Sequence, residues 1–266
     1  ASCQNNLKQW GIIFKMFAGE NKGRFPNTTG YSPGDLIDLG GTNNGMVMYP
    51  RAEEIYPEYW TDVAIAICPS DSHGDTWAGI LKLETDFVGQ VQKAAAAQAA
   101  SPTEPGRHCL NSLLSMPISY VYIGYAVKSS SQLAALASSM FWWVNIDWAL
   151  HQGQPGLHGA WVTRNDWGAY GCKHDTAIYI GKGDGDLNET QAPSQGWLMP
   201  VTGKDDDGVT DLPRSYKQLK EGIERFFITD INNPAASAQA QSTLPCMMDA
   251  WAQDTGWWFA FAGIQG

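Results

Sequence analysis

The chain is short of charge, and of positive charge most of all. Only 17% of its 266 residues are Asp, Glu, Lys or Arg, against the quarter or so usual in folded proteins. Seventeen Lys and Arg face 27 Asp and Glu, leaving a formal net charge of −10. Nucleic-acid binders neutralise phosphates with clustered basic side chains, so that class is excluded. There is no Cys-x-x-Cys pair, which removes zinc ribbons and thioredoxin-type redox motifs. Long apolar runs are missing too: Leu133 to Leu150, the most apolar stretch, is broken by Ser138, Ser139, Asn145 and Asp147. It falls short of the ~20 apolar residues that a membrane span needs. The five His (73, 108, 151, 158 and 174) show no metal-binding spacing, and no nucleophile elbow occurs. Carboxylates and tryptophans are plentiful enough to suit a glycoside hydrolase, but nothing places a pair of acids at the separation that chemistry needs. The sequence reads as non-catalytic.

What is present describes a folded, loop-rich protein: 44% of residues are hydrophobic, and 28 Gly with 14 Pro imply many turns. Twelve Trp are unusual, because indole is costly to expose and suits either a core or an interface. Trp142–Trp143 and Trp257–Trp258 are adjacent pairs whose members cannot share one core from a single strand. All four are candidate interface residues. Five cysteines allow up to two disulfides in an exported chain and leave one thiol, with the pairing open.

Apolar residues at Cys3, Leu7, Trp10, Phe14 and Phe17 recur at alternating steps of four and three, widened by Ile13, and predict a helix over residues 1–21. Its Trp10, Phe14 and Phe17 join the candidate interface set. Gly19 to Gly23 weaken this helix and Pro26 ends it. The helix has no capping residue at its start, and the chain opens at Ala1 without an initiator Met; both imply a segment upstream. Further on, Arg51 to Trp60 predicts a short helix broken at Pro57, and Val63 to Cys68 a buried strand. Helices are expected over Leu83 to Ala100, Ser131 to Leu150 and Lys217 to Phe226, the last with Leu219, Ile223 and Phe227 on one side. Ser101 to Arg107 reads as a loop. Ile118 to Val127 and Thr176 to Ile180, rich in β-branched and aromatic residues, read as strands.

Two acidic stretches are candidate cation sites. Asp184, Asp186 and Asn188 alternate, with Glu189 next, among glycines at 181, 183 and 185. Hard cations such as calcium take six to eight oxygens at close range, and this spacing turns side chains around one point. Asp205, Asp206, Asp207 and Asp211 surround Gly208, where mutual repulsion of adjacent carboxylates would be relieved by a cation.

The opening Cys3-Gln-Asn-Asn-Leu-Lys-Gln9, then Gly23-Arg-Phe-Pro26, Ile55-Tyr-Pro-Glu-Tyr59, Cys68-Pro-Ser-Asp71 and Ser119-Tyr120, follow one another in a familiar order. Glu221-Gly-Ile-Glu-Arg-Phe226, Ile228-Thr-Asp-Ile-Asn-Asn-Pro234 and Ala240-Gln-Ser242 continue it. The series resembles the type II secretion-like pseudopilins, type IV pilin-like proteins of the planctomycete kind. The resemblance implies an α+β fold: an N-terminal helix packed on an antiparallel sheet, with long loop and helix insertions. Residues 1–24 would be the distal part of the pilin helix and 25–266 the globular head. It implies an exported subunit, extracellular or at the cell surface, that polymerises with copies of itself into a filament or tube. The membrane would be met only through an absent hydrophobic stem during biogenesis, and calcium is expected in an acidic loop of the head. A minor pseudopilin of a secretion machine and a secreted carbohydrate-binding surface protein are the competing readings.

Overall fold

The computed structural model describes residues 2–28, 31–33, 49–70, 86–115, 119–136, 159–163, 177–181, 185–188, 202–222 and 245–249. Its helices and small antiparallel sheets make a mixed α+β fold. Helix α1 spans Ser2–Glu20. It buries Trp10, Ile13, Phe14, Phe17 and Ala18, the face that the apolar spacing marks. The helix ends where Asn21 donates its side-chain amide to the Phe17 carbonyl at 2.8 Å and Lys22 and Gly23 take positive φ.

The stripe of α1 meets aromatic rings from several elements. Trp10 packs on Tyr49 and Trp60 with ring centroids 5.7 and 4.8 Å away, and Phe14 lies 4.9 Å from Tyr122. Phe17 meets Tyr59 edge-on at 5.7 Å. Tyr122 belongs to strand β2 (Tyr120–Tyr122), which pairs antiparallel with a later strand, Met247–Asp249, so α1 lies against that two-stranded ribbon. Two buried rings are anchored at their polar ends. The Tyr122 hydroxyl donates to the Pro26 carbonyl at 2.6 Å, and the Trp60 indole to the Asp62 carbonyl at 2.9 Å.

Short helix α2 is Ala52–Ile55, followed by a cis Tyr56–Pro57 peptide. Val63–Ala66 is a 3₁₀ turn and not the expected strand. Asp62 caps it by accepting from the Ala64 amide at 3.0 Å, and its Val63, Ile65 and Ala66 are buried like a strand's apolar run. Helix α3 is Phe87–Ala100, capped by Asp86 through the Gly89 amide at 2.7 Å. Residues 101–107 are only partly the expected loop, because α4, Glu104–Leu114, begins inside them. Thr103 caps that helix through the Gly106 amide at 3.1 Å, and Pro105 fits its first turn because no intrahelical amide is needed there. The three residues between α3 and α4 fold the two helices into a packed hairpin.

The expected strand over 118–127 is real at β2 but stops at Gly124, whose φ of +68° turns the chain. A Cβ there would sit 2.5 Å from Thr28 Cγ2, so the Thr28 side chain occupies room that only a glycine at 124 leaves. Residues 217–222 are not the start of a helix. Residues 217–220 run extended between two other segments and 221–222 form a turn: Leu219 donates to the Gly124 carbonyl at 2.9 Å, and its own carbonyl accepts from Phe25 at 3.1 Å. The Glu221 amide reaches Gly23 and the Ala126 amide reaches Lys217, at 2.7 and 2.9 Å. This pairing with non-local partners overrides the local helical pattern; Ile223 and Phe227 lie outside the described residues.

The remaining sheet has the order β1 (Tyr31–Pro33), β4 (Ala177–Gly181), β3 (Gly159–Thr163), all antiparallel, so the expected strand at 176–180 is its central member. A ribbon of β5 (Leu187–Asn188) and β6 (Ser215–Tyr216) completes the strands with β7 (Met247–Asp249). Residues 130–136 are helical and are called α5; the rest of the expected helix to Leu150 lies outside the described residues. Among the described residues no helix is long and apolar enough to cross a membrane.

Candidate functional site

The acidic stretch 204–211 is a tight loop docked on the start of α5. Asp206 accepts from the Ser130 and Ser131 amides at 3.1 and 2.9 Å and from the Ser130 hydroxyl at 2.9 Å. It acts as a helix cap supplied from 75 residues away, placing a carboxylate where backbone N–H groups are unsatisfied. Asp205 accepts from the Ser129 hydroxyl and, at 2.6 Å, from the Gln132 side-chain amide. Asp207 ties the loop to itself through the Val209 and Thr210 amides, each at 2.8 Å. Asp211 pairs with Lys204 at 2.6 Å.

The bonds to Asp205, Asp206 and Asp207 favour the ionised form of these three carboxylates. Hydrogen bonds from Ser131 and Ser130 lower Asp206 to about 2, the Ser129 hydroxyl lowers Asp205, and the Thr210 hydroxyl lowers Asp207. The expected cation-binding aspartates of this loop thus each face their own protein donors, and no three of them gather their oxygens at one point. Of the other acidic stretch, Asp186 accepts from Lys217 at 2.7 Å and from the Gln218 amide at 2.9 Å, which docks β5 beside the extended segment 217–220. Asn188 is in β5, while Asp184 and Glu189 lie outside the described residues.

The candidate interface residues divide in two. Trp10, Phe14 and Phe17 are buried inside this chain, so they join α1 to the body and are not available to a second molecule. Apolar area is removed from water just as well by the chain's own rings, and here those rings are in place. Trp142, Trp143, Trp257 and Trp258 lie outside the described residues.

Ile12, Met16 and Val209 belong to none of the patterns marked in the sequence. Large apolar side chains exposed to solvent, they stand at 59%, 51% and 76% exposure. Ile12 and Met16 are one helical turn apart, off the buried stripe of α1, and that offset from the apolar spacing was the available signal. Val209 follows Gly208 at the tip of the acidic loop.

Cys3, at the start of α1, is disulfide-bonded to Cys68, just beyond the 3₁₀ turn. Cys109 is disulfide-bonded as well, and Cys246 is a free, half-buried thiol whose pKa burial raises. Beside the Cys3–Cys68 bond stands the Asp249 carboxylate, making the one grouping of three residues of metal-ligating type among the described residues. With the sulfurs joined to each other, the group presents a disulfide and not a pair of thiolates.

No protein-family model, no curated protein and no solved structure matches this chain.

Proposed function

We propose that the chain is a pilin-like structural subunit, non-catalytic and exported, that assembles with copies of itself into an extracellular or cell-surface filament. The observation that carries this reading is the two-sidedness of α1. One side is built into the body by Trp10, Ile13, Phe14 and Phe17 and stapled at Cys3; the other holds Ile12 and Met16 in water. A helix needed only to close a core has no use for an apolar ridge on its outer side, whereas a helix shared between neighbours does. Burial of the aromatic stripe also frees the head from dependence on a neighbour for its fold, as a subunit secreted before assembly requires. The resemblance of the ordered motifs to pseudopilins points the same way, and the two disulfide-bonded cysteines of the staple suit an oxidising compartment. Sedimentation velocity over a hundredfold range of concentration, with negative-stain microscopy of the highest, tests the reading. Open-ended oligomers or fibres are expected, and a monomer at every concentration would refute it.

A further inference from the structure

We infer that the outer face of α1 is the docking surface for the acidic loop 204–211 of a second copy of this chain, an inference that rests on the assembly reading above. Residues of a helix are spaced by about 100°, so Lys8, Ile12, Lys15 and Gly19 fall together on the side opposite Trp10. Met16 borders them and is exposed. Gly19 lies at the end of that side, and a Cβ added there would meet nothing within 4 Å. With no side chain at Gly19, the ridge of Lys8, Ile12 and Lys15 runs out onto bare backbone at the end of the helix.

Charge selects the occupant. The chain as a whole carries −10, yet α1 bears Lys8 and Lys15 with Glu20 as its single acid. Lys15 is paired with the exposed Glu221 at 2.9 Å and still stands well into solvent. The loop has the opposite character: four aspartates and one lysine between Lys204 and Asp211, with exposed Val209 at its tip. It is also pre-shaped, because Asp205 and Asp206 tie it to α5 and Asp207 fixes Val209 and Thr210. Two α1 faces set together would oppose lysines to lysines, and two loops would oppose aspartates to aspartates. Loop on helix matches both charge and the apolar contact of Val209 with Ile12 and Met16. Because the two patches are different surfaces of one chain, the contact is head-to-tail and propagates without closing on itself unless the rotation happens to close a ring.

The test uses reversal of charge at exposed positions, Lys8→Glu and Asp211→Lys, each checked for an unchanged circular dichroism spectrum and melting temperature. Each variant alone should need at least tenfold more protein than wild type to assemble, as read by sedimentation velocity. An equimolar mixture of the two should recover wild-type assembly, since every contact then joins opposite charges. Variants that assemble as wild type does, or a mixture no better than its components, overturn the docking while the assembly reading stands. A wild-type chain that stays monomeric overturns both.

Discussion

Trp10 and Trp60 stack at a tilt with their ring centroids 4.8 Å apart, and this contact joins the middle of α1 to the turn that precedes the 3₁₀ segment. Both side chains are wholly buried. The pair lies where the helix, the segment around Tyr49 and residues 52–60 converge, so it is the point at which loss of volume is least easily absorbed.

Replacing Trp10 with Ala should therefore cost about 3–5 kcal/mol in urea unfolding, as removal of a large buried ring does. Trp10→Phe should cost clearly less, because the indole nitrogen has no hydrogen-bond partner among the described residues to lose. A loss under ~1 kcal/mol for the alanine variant would show that α1 is not held by this stripe.

Gly124→Ala tests the turn after β2. The substitution must accept a φ of +68° and a Cβ 2.5 Å from Thr28 Cγ2. Left-handed strain together with overpacking should destabilise the fold by about 2–4 kcal/mol. The companion Gly208→Ala has the same φ but open space around it, so it should lose only the strain part.

Joint replacement of Cys3 and Cys68 by Ser removes a crosslink that closes 65 residues of sequence. The chain-entropy account puts the loss at about 4 kcal/mol. Hydrogen exchange should rise first in the opening turns of α1, with the aromatic stripe further along protected longer. Uniform loss of protection along the helix would contradict that order.

Acid should release the acidic loop from α5. Asp206 titrates at about 2 in the folded chain against an ordinary 3.8, so its contribution is present above pH 4 and disappears as pH falls toward 2. Asp205 and Asp207 are displaced in the same direction. Amide protection over 130–136 should fall in that window, and Asp206→Asn should flatten the dependence. An unchanged profile in the asparagine variant would show that Asp206 does not cap α5.

The parts legible in sequence are those governed by local regularity. The 3–4 spacing of Cys3, Leu7, Trp10, Phe14 and Phe17 specifies both a helix and its inward face, and the β-branched pattern marks Ala177–Gly181. The short apolar run at Val63–Cys68 suits a strand or a tight turn equally; the deciding residue, Asp62, sits outside the run as a cap. Thr103 followed by Glu104-Pro105 was a readable helix start hidden by a loop-like composition of Pro and Gly. Residues 217–222 could not be read locally, because their partners are Gly23, Phe25, Gly124 and Ala126, far away along the chain. The aspartates of 205–207 carry a similar lesson. Proximity of carboxylates in sequence suggested a cation, whereas the fold brings Ser129, Ser130 and Ser131 to them.

The Cys3–Cys68 bond has a mechanical consequence. Tension applied at the beginning of α1 enters the body through a covalent bond at the second residue of the helix. The rings of Trp10, Phe14 and Phe17 are thereby shielded from being peeled off one after another, and the helix beyond Cys3 stays slack while the pull is borne by the segment around Cys68.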